Sequence, residues 1–180
     1  MIPMRRSYEK SGMTGKIVEQ ELFGKSLYER ETKELFPDYS YADKLRCLDI
    51  IKKHQPSSPT NPQREFAHHV RSRVCILLGV DQKIVRFYTA VDSPLDQFHQ
   101  VDGWFEIKFR GVNILVTVDL TSRPEKDKTR SDIIFHVPIE GLSSAVDETE
   151  FLSYANDMSE QVVLEFQRQG IPSRKGSHHG

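Results

Sequence analysis

Two cysteines, one tryptophan, no long apolar run and no excess of either charge set the first limits on this 180-residue chain. Cys47 and Cys75 lie far apart with no partner at ligand spacing, which excludes a thiolate zinc site and a disulfide framework. Both fall on apolar helical stripes and read as buried thiols. No apolar stretch approaches the roughly 18 residues of a membrane span. The start, Met1-Ile2-Pro3-Met4-Arg5-Arg6, is not followed by the apolar segment of a secretory signal. A cytoplasmic protein without membrane contact is the expectation. A net charge of −1 argues against coating nucleic acid through broad cationic surface, but leaves room for an enzyme that grips phosphates locally.

What the chain does have is periodicity, and 37% hydrophobic residues suffice for one principal core with a small appendage. Residues 16–36 read as a charged helix, with Val18, Leu22, Phe23, Leu27 and Tyr28 on its apolar side, ended by Pro37-Asp38. Ser40 as N-cap, with Asp43 three residues on, opens a second helix carrying Tyr41, Leu45, Leu48 and Ile51. Together they are expected to form an N-terminal helical hairpin over 1–55, serving either as a homodimer contact or as intramolecular packing. Pro56, Pro59 and Pro62 mark a linker. Asn61 and Pro62 then open a third helix with Phe66, Val70, Val74 and Leu77 on one face, ending at Gly79. His68 and His69 are adjacent on it, point about 100° apart and cannot share an ion. Residues 83–91 alternate as a strand, and a loop through Ser93-Pro94 follows. Residues 132–137 form another short strand, and Asp147 with Glu150 caps a last helix lined by Phe151, Ala155, Met158, Val162 and Phe166. The core domain is 61–170, and 171–180 reads as a disordered or added tail whose histidines carry no metal reading.

The stretch 101–128 looks built for chemistry. Val101, Gly103, Phe105, Ile107 and Phe109 alternate with polar neighbours, and the alternation resumes after Arg110-Gly111 through Val112, Ile114, Val116, Val118 and Leu120. That pattern describes a β-hairpin. A two-residue loop at Arg110-Gly111 pairs Phe105 with Val116 and Ile107 with Ile114, leaves one face apolar, and sets Asp102 opposite Asp119 on the other. A four-residue loop keeps the faces and offsets the two aspartates diagonally. Paired carboxylates repel by up to about 1 kcal/mol. A hard divalent cation would offset this. So would Arg123, Lys126 or Lys128 from the following loop, and simple solvation is the third alternative.

These residues carry a resemblance. Glu65 on the first core helix, Asp102 at the start of the second strand, Asp119-Leu120-Thr121 at the end of the third and a lysine shortly after resemble the PD-(D/E)XK nuclease superfamily. The last motif reads Asp-x-Thr with its lysine moved downstream, and the resemblance covers about 61–137. It implies phosphodiester cleavage with Mg²⁺ or Mn²⁺ held by Asp102, Asp119 and the Leu120 carbonyl, with Glu65 reaching the ion through water. Lys126 or Lys128 would supply further positive charge, and nucleic acid would be met by Trp104, Thr121, Arg123 and Arg130. The family places a helix before its last strand. Here the strand comes first, so either a short helix sits within 124–130 or the topology differs.

The expected fold is α+β, a mixed, mainly antiparallel sheet of about four strands covered by helices. The same inventory fits a non-enzymatic binding or accessory domain, cystatin-like or nuclear-transport-factor-2-like. In it the aspartates are solvated and an exposed Trp104 contacts a ligand or protein partner. A nuclease-like scaffold without activity is the remaining alternative.

Overall fold

The structure, a computed structural model, describes residues 13–28 and 44–172. Its helices are α1 (Met13–Phe23), α2 (Lys44–Lys52), α3 (Glu65–Leu78), α4 (Pro94–His99) and α5 (Glu148–Arg168). Its strands are β1 (Arg86–Thr89), β2 (Gly103–Phe109), β3 (Val112–Thr121) and β4 (Ile133–His136). They form one sheet in the order β1-β2-β3-β4, antiparallel except for the parallel pair β3-β4, so the fold is α+β.

The hairpin has the register that its alternation dictates. Phe105 faces Val116 and Ile107 faces Ile114. Arg110 and Gly111 both take positive φ, 50° and 79°, the conformation whose twist suits a two-residue hairpin loop. Side chains of one parity, including Phe87, Phe105, Ile107, Val116 and Val118, enter the main core with α1, α3 and α5. There Phe66, Val70 and Val74 meet Met158, Val162 and Phe166. Asp147 caps α5 as expected, its Oδ1 accepting from the Glu150 N–H at 2.9 Å, and Gly79 closes α3 in the left-handed conformation.

The other sheet face is not open, which corrects the expectation of an exposed Trp104. Tyr88, Trp104 and Leu115 form a second, smaller cluster with Cys47, Leu48 and Ile51 of α2 and Leu95 of α4. Trp104 is fully buried and stacks on Tyr88 with ring centroids 4.9 Å apart. It therefore has no face left for a base. Beside it Glu106, also buried, is paired with Lys52 at 2.6 Å, so α2 is joined to the sheet by charge as well as by apolar contact. Parity correctly placed Trp104 opposite the main core. It could not reveal that α2 returns over that face.

The N-terminal helix is shorter than its 16–36 pattern. It ends at Phe23, and Gly24 turns the chain at φ 80°. Backbone groups then find partners outside the helix: Ser26 N–H donates to the Val91 carbonyl and Leu27 N–H to the His54 carbonyl. The expected hairpin is not the arrangement of the described parts, because α1 enters the main core and α2 the second one. The Ser40–Asp43 cap and the Pro37 stop lie outside the described residues. Helix α3 begins at Glu65 rather than Pro62. The segment taken for a loop at Ser93-Pro94 is α4, with Pro94 at its first position and Asp96 in its first turn. No helix occupies 124–130. The connection from β3 to its parallel neighbour β4 is an irregular loop, so topology, not a hidden helix, accounts for the order of elements.

Gly103 has a specific packing duty. A Cβ there would lie 2.9 Å from the Phe23 ring and 3.0 Å from that of Phe87. The missing side chain is what lets the end of α1 approach the sheet. Gly103→Ala is expected to destabilise the protein by about 1–3 kcal/mol, the cost of overpacking a filled core. A urea melt of the variant measures this, and an unchanged midpoint would remove the close approach as a constraint.

Candidate active site

The C-terminal end of β3, the start of β2, α4 and α1 enclose a cavity of about 460 Å³. Five acidic residues line it, exposed Glu125 at the rim and Glu19, Asp96, Asp102 and Asp119 further in. Asp102 immediately precedes β2, its backbone fixed on both sides: Ala90 N–H donates to its carbonyl at 2.8 Å, and its own N–H donates to the Val118 carbonyl at 2.9 Å. The side chain is 2% exposed, and its Oδ2 accepts from the Leu120 N–H at 2.7 Å. Asp96 comes from α4, and its Oδ2 accepts from the Asp92 N–H at 2.9 Å. Glu19 comes from α1. One oxygen each from Glu19, Asp96 and Asp102 lies within 4.8 Å of the others, and among the described residues this is the one group of three acidic, cysteine or histidine side chains so arranged.

Asp119 lies outside this trio and has a cation of its own. Its Oδ2 is 2.5 Å from the Lys126 ammonium and accepts from Thr129 Oγ1 at 2.7 Å. Lys126 is thus the cation that compensates this carboxylate, one of the three basic residues the sequence made available. The loop bringing it is held at several points. Asp132 accepts from Thr117 N–H and Oγ1 at 2.8 and 2.9 Å, and Ser131 Oγ donates to the Gln100 carbonyl at 2.5 Å.

The trio has a different counter-ion. The Lys16 ammonium contacts Asp96, lies 3.0 Å from Glu19 Oε2 and 3.7 Å from Asp92. Among the described residues no basic group lies within 4 Å of the Asp102 carboxylate. Burial, followed by the charges of Glu19 and Asp96, pushes the Asp102 carboxyl well above its ordinary pKa, and the Leu120 hydrogen bond only partly opposes this. Burial also raises Glu19 to about 7, against the pull of Lys16. Burial alone would lower the Lys16 ammonium, yet its contacts with Asp96 and Glu19 hold it above the ordinary lysine value. Three acids sharing one ammonium are short of positive charge.

Of the residues expected from sequence, Asp102, Asp119, Leu120, Thr121, Arg123 and Lys126 all line this cavity. Glu65 does not. It is exposed at the start of α3, where its carboxylate accepts from Ser144 Oγ at 2.7 Å, so the later start of that helix leaves it outside the site. Lys128 is exposed and outside the lining. Arg130 is also outside, its guanidinium donating to the Phe98 carbonyl at 2.9 Å. Buried Trp104 is no part of it either. The acidic residues that sequence reasoning passed over are Glu19 and Asp96. Ser-Pro-Leu-Asp at 93–96 is a helix-start signature that would have pointed to Asp96. Nothing local distinguishes Glu19 from the other acids of its helix.

The chain matches no family model, no curated protein and no solved structure.

Proposed function

We propose that this protein is a phosphodiesterase of the nuclease type that works with a bound Mg²⁺ or Mn²⁺. The observation that carries the reading is Asp102: a carboxylate 2% exposed, facing the cavity, with two further carboxylates at hand and no basic group in contact. A buried charge without a partner costs several kcal/mol, so the site calls for either a proton or a cation. The donor set suits a hard divalent ion. Oxygens on opposite sides of Mg²⁺ stand about 4.2 Å apart, so a trio within 4.8 Å could close on the ion with small side-chain movements.

Asp102, Asp96 and Glu19 would hold the ion, with Asp119 beside them. Bound there, it would lower the pKa of a water and offset the charge that grows on the phosphate oxygens. The remaining work belongs to the chain. Lys126, anchored by Asp119, presents an ammonium at the cavity wall, where it can meet a phosphate oxygen without reorganising. Thr121 and exposed Arg123 line the approach and offer donors for flanking phosphates. The Asp102 and Asp119 carboxylates are buried, where bulk water screens their charges weakly. The substrate is expected to be nucleic acid, bound locally since the net charge of −1 gives no general attraction. An accessory domain contacting ligands through Trp104 is disfavoured by that residue's burial.

The test is cleavage of supercoiled plasmid and of a labelled single strand with Mn²⁺ or Mg²⁺. Cleavage should stop on chelation and be lost in Asp119→Ala, which frees Lys126 from its anchor. If neither metal supports cleavage nor shifts the melting temperature, the reading fails.

A further inference from the structure

Lys16 ties α1 to Asp92 and Asp96 by charge, but it does not supply the apolar docking of the helix. That task falls to Val18, Leu22 and Phe23, all buried, whereas the Lys16 side chain is 34% exposed and its ammonium lies against Glu19, Asp92 and Asp96. Two of those three acids belong to the trio that would hold a divalent ion. The ammonium therefore contacts the same carboxylates that the ion needs.

We propose that Lys16 is a built-in competitor of the divalent cation, so that metal binding at the Glu19, Asp96 and Asp102 carboxylates requires the ammonium to leave. This rests on the metal-site reading above and adds a regulator to it. The physical argument has two parts. An ammonium beside a divalent ion is repelled in a partly buried setting where solvent screens weakly, so both cannot keep their contacts. Lysine is also suited to leaving: it is a single charge on a flexible stem, and this one already reaches solvent. Asp102, which has no basic contact of its own, remains the fixed carboxylate of the site while Lys16 exchanges against the ion. The consequence is a site of modest metal affinity in the free protein. Anything that draws Lys16 away from Asp96, such as a phosphate group entering the cavity that Lys16 also lines, would strengthen metal binding.

The experiment is calorimetric titration of Mn²⁺, in the absence of any substrate, into the wild type, Lys16→Met, Lys16→Gln and Lys16→Arg. Lys16→Met keeps the apolar stem, and Lys16→Gln keeps a hydrogen-bond donor toward Asp96 without the charge. Both neutral variants should bind Mn²⁺ at least about tenfold more tightly than wild type, the low end of what one adjacent charge does to an ionisation. Lys16→Arg should stay within about threefold of wild type, because the charge is kept. If wild type binds Mn²⁺ and the two neutral variants bind it equally or more weakly while retaining the wild-type circular dichroism, Lys16 is no competitor and the metal site stands without it. Absence of Mn²⁺ binding in all four proteins would overturn the competitor and the metal site together.

Discussion

Replacing Asp102 by asparagine is expected to reduce metal-dependent cleavage by about 10³-fold, the scale of losing an oriented charge at a reacting phosphate. The same change should make the metal-free protein more stable at pH 8. The two effects have one cause. In the folded protein burial and the neighbouring charges of Glu19 and Asp96 disfavour ionised Asp102, whereas in the unfolded chain it ionises freely. Each pH unit by which its pKa is raised represents about 1.4 kcal/mol lost from folding at high pH. Asparagine removes that cost. Its side-chain oxygen can accept the Leu120 N–H bond at the same position, and its amide can donate toward Glu19 or Asp96. Urea melts in chelator give the stability, and plasmid nicking gives the activity. A metal-free Asp102→Asn protein less stable than wild type would mean that the buried carboxylate is structural, and the catalytic reading would lose its foundation.

Metal-free protein should lose stability as pH rises from about 5 to 8, the reverse of the usual behaviour of proteins whose carboxylates are ion-paired. A carboxylate with raised folded pKa binds its proton in the native state over a window where the unfolded chain has released it. Its contribution is favourable below the unfolded value and fades as pH climbs through the folded one. Glu19, moved from 4.5 to about 7, sets the window and would contribute at most about 3 kcal/mol across it. Asp102 acts in the same direction. Lys16 does not alter the slope there, because its ammonium is charged in both states until pH approaches the ordinary lysine value. Saturating Mg²⁺ should flatten the dependence, since the ion replaces the proton as the source of positive charge. Urea titrations at several pH values, with chelator and with Mg²⁺, measure it. Glu19→Gln should make the slope shallower, leaving the part that buried Asp102 contributes. A metal-free stability that rises over this range would contradict the electrostatics assigned to the cluster.

The local rules of the sequence reached far into this fold. Alternation on 103–120 gave the hairpin, its loop and its register, because a slip of one residue would turn Phe105, Ile107, Val116 and Val118 out of the core. The Asp147 to Glu150 cap and Gly79 marked helix ends through backbone chemistry that needs no distant partner. Half of the site was legible for the same reason. Asp102, Asp119, Leu120 and Thr121 lie on strands whose pairing the pattern specifies, and Lys126 is carried by the loop that follows.

The other half is supplied by elements distant in sequence. Glu19 and Lys16 reach the cavity on α1, which depends on Phe23 fitting over a residue without a Cβ at Gly103. Glu65 was the natural acid to choose on α3, but the helix starts a turn later than Pro62 suggested and points it elsewhere. Trp104 was placed on the correct side of the sheet and then covered by α2. Sequence by itself determined which side chains share a strand face, the end of α3 at Gly79 and the start of α5 at Asp147, since those follow from a period of two and from neighbouring backbone groups. Only the tertiary structure decided which carboxylates meet and which cation each one has, because that depends on how helices far apart in the chain pack around one end of the sheet.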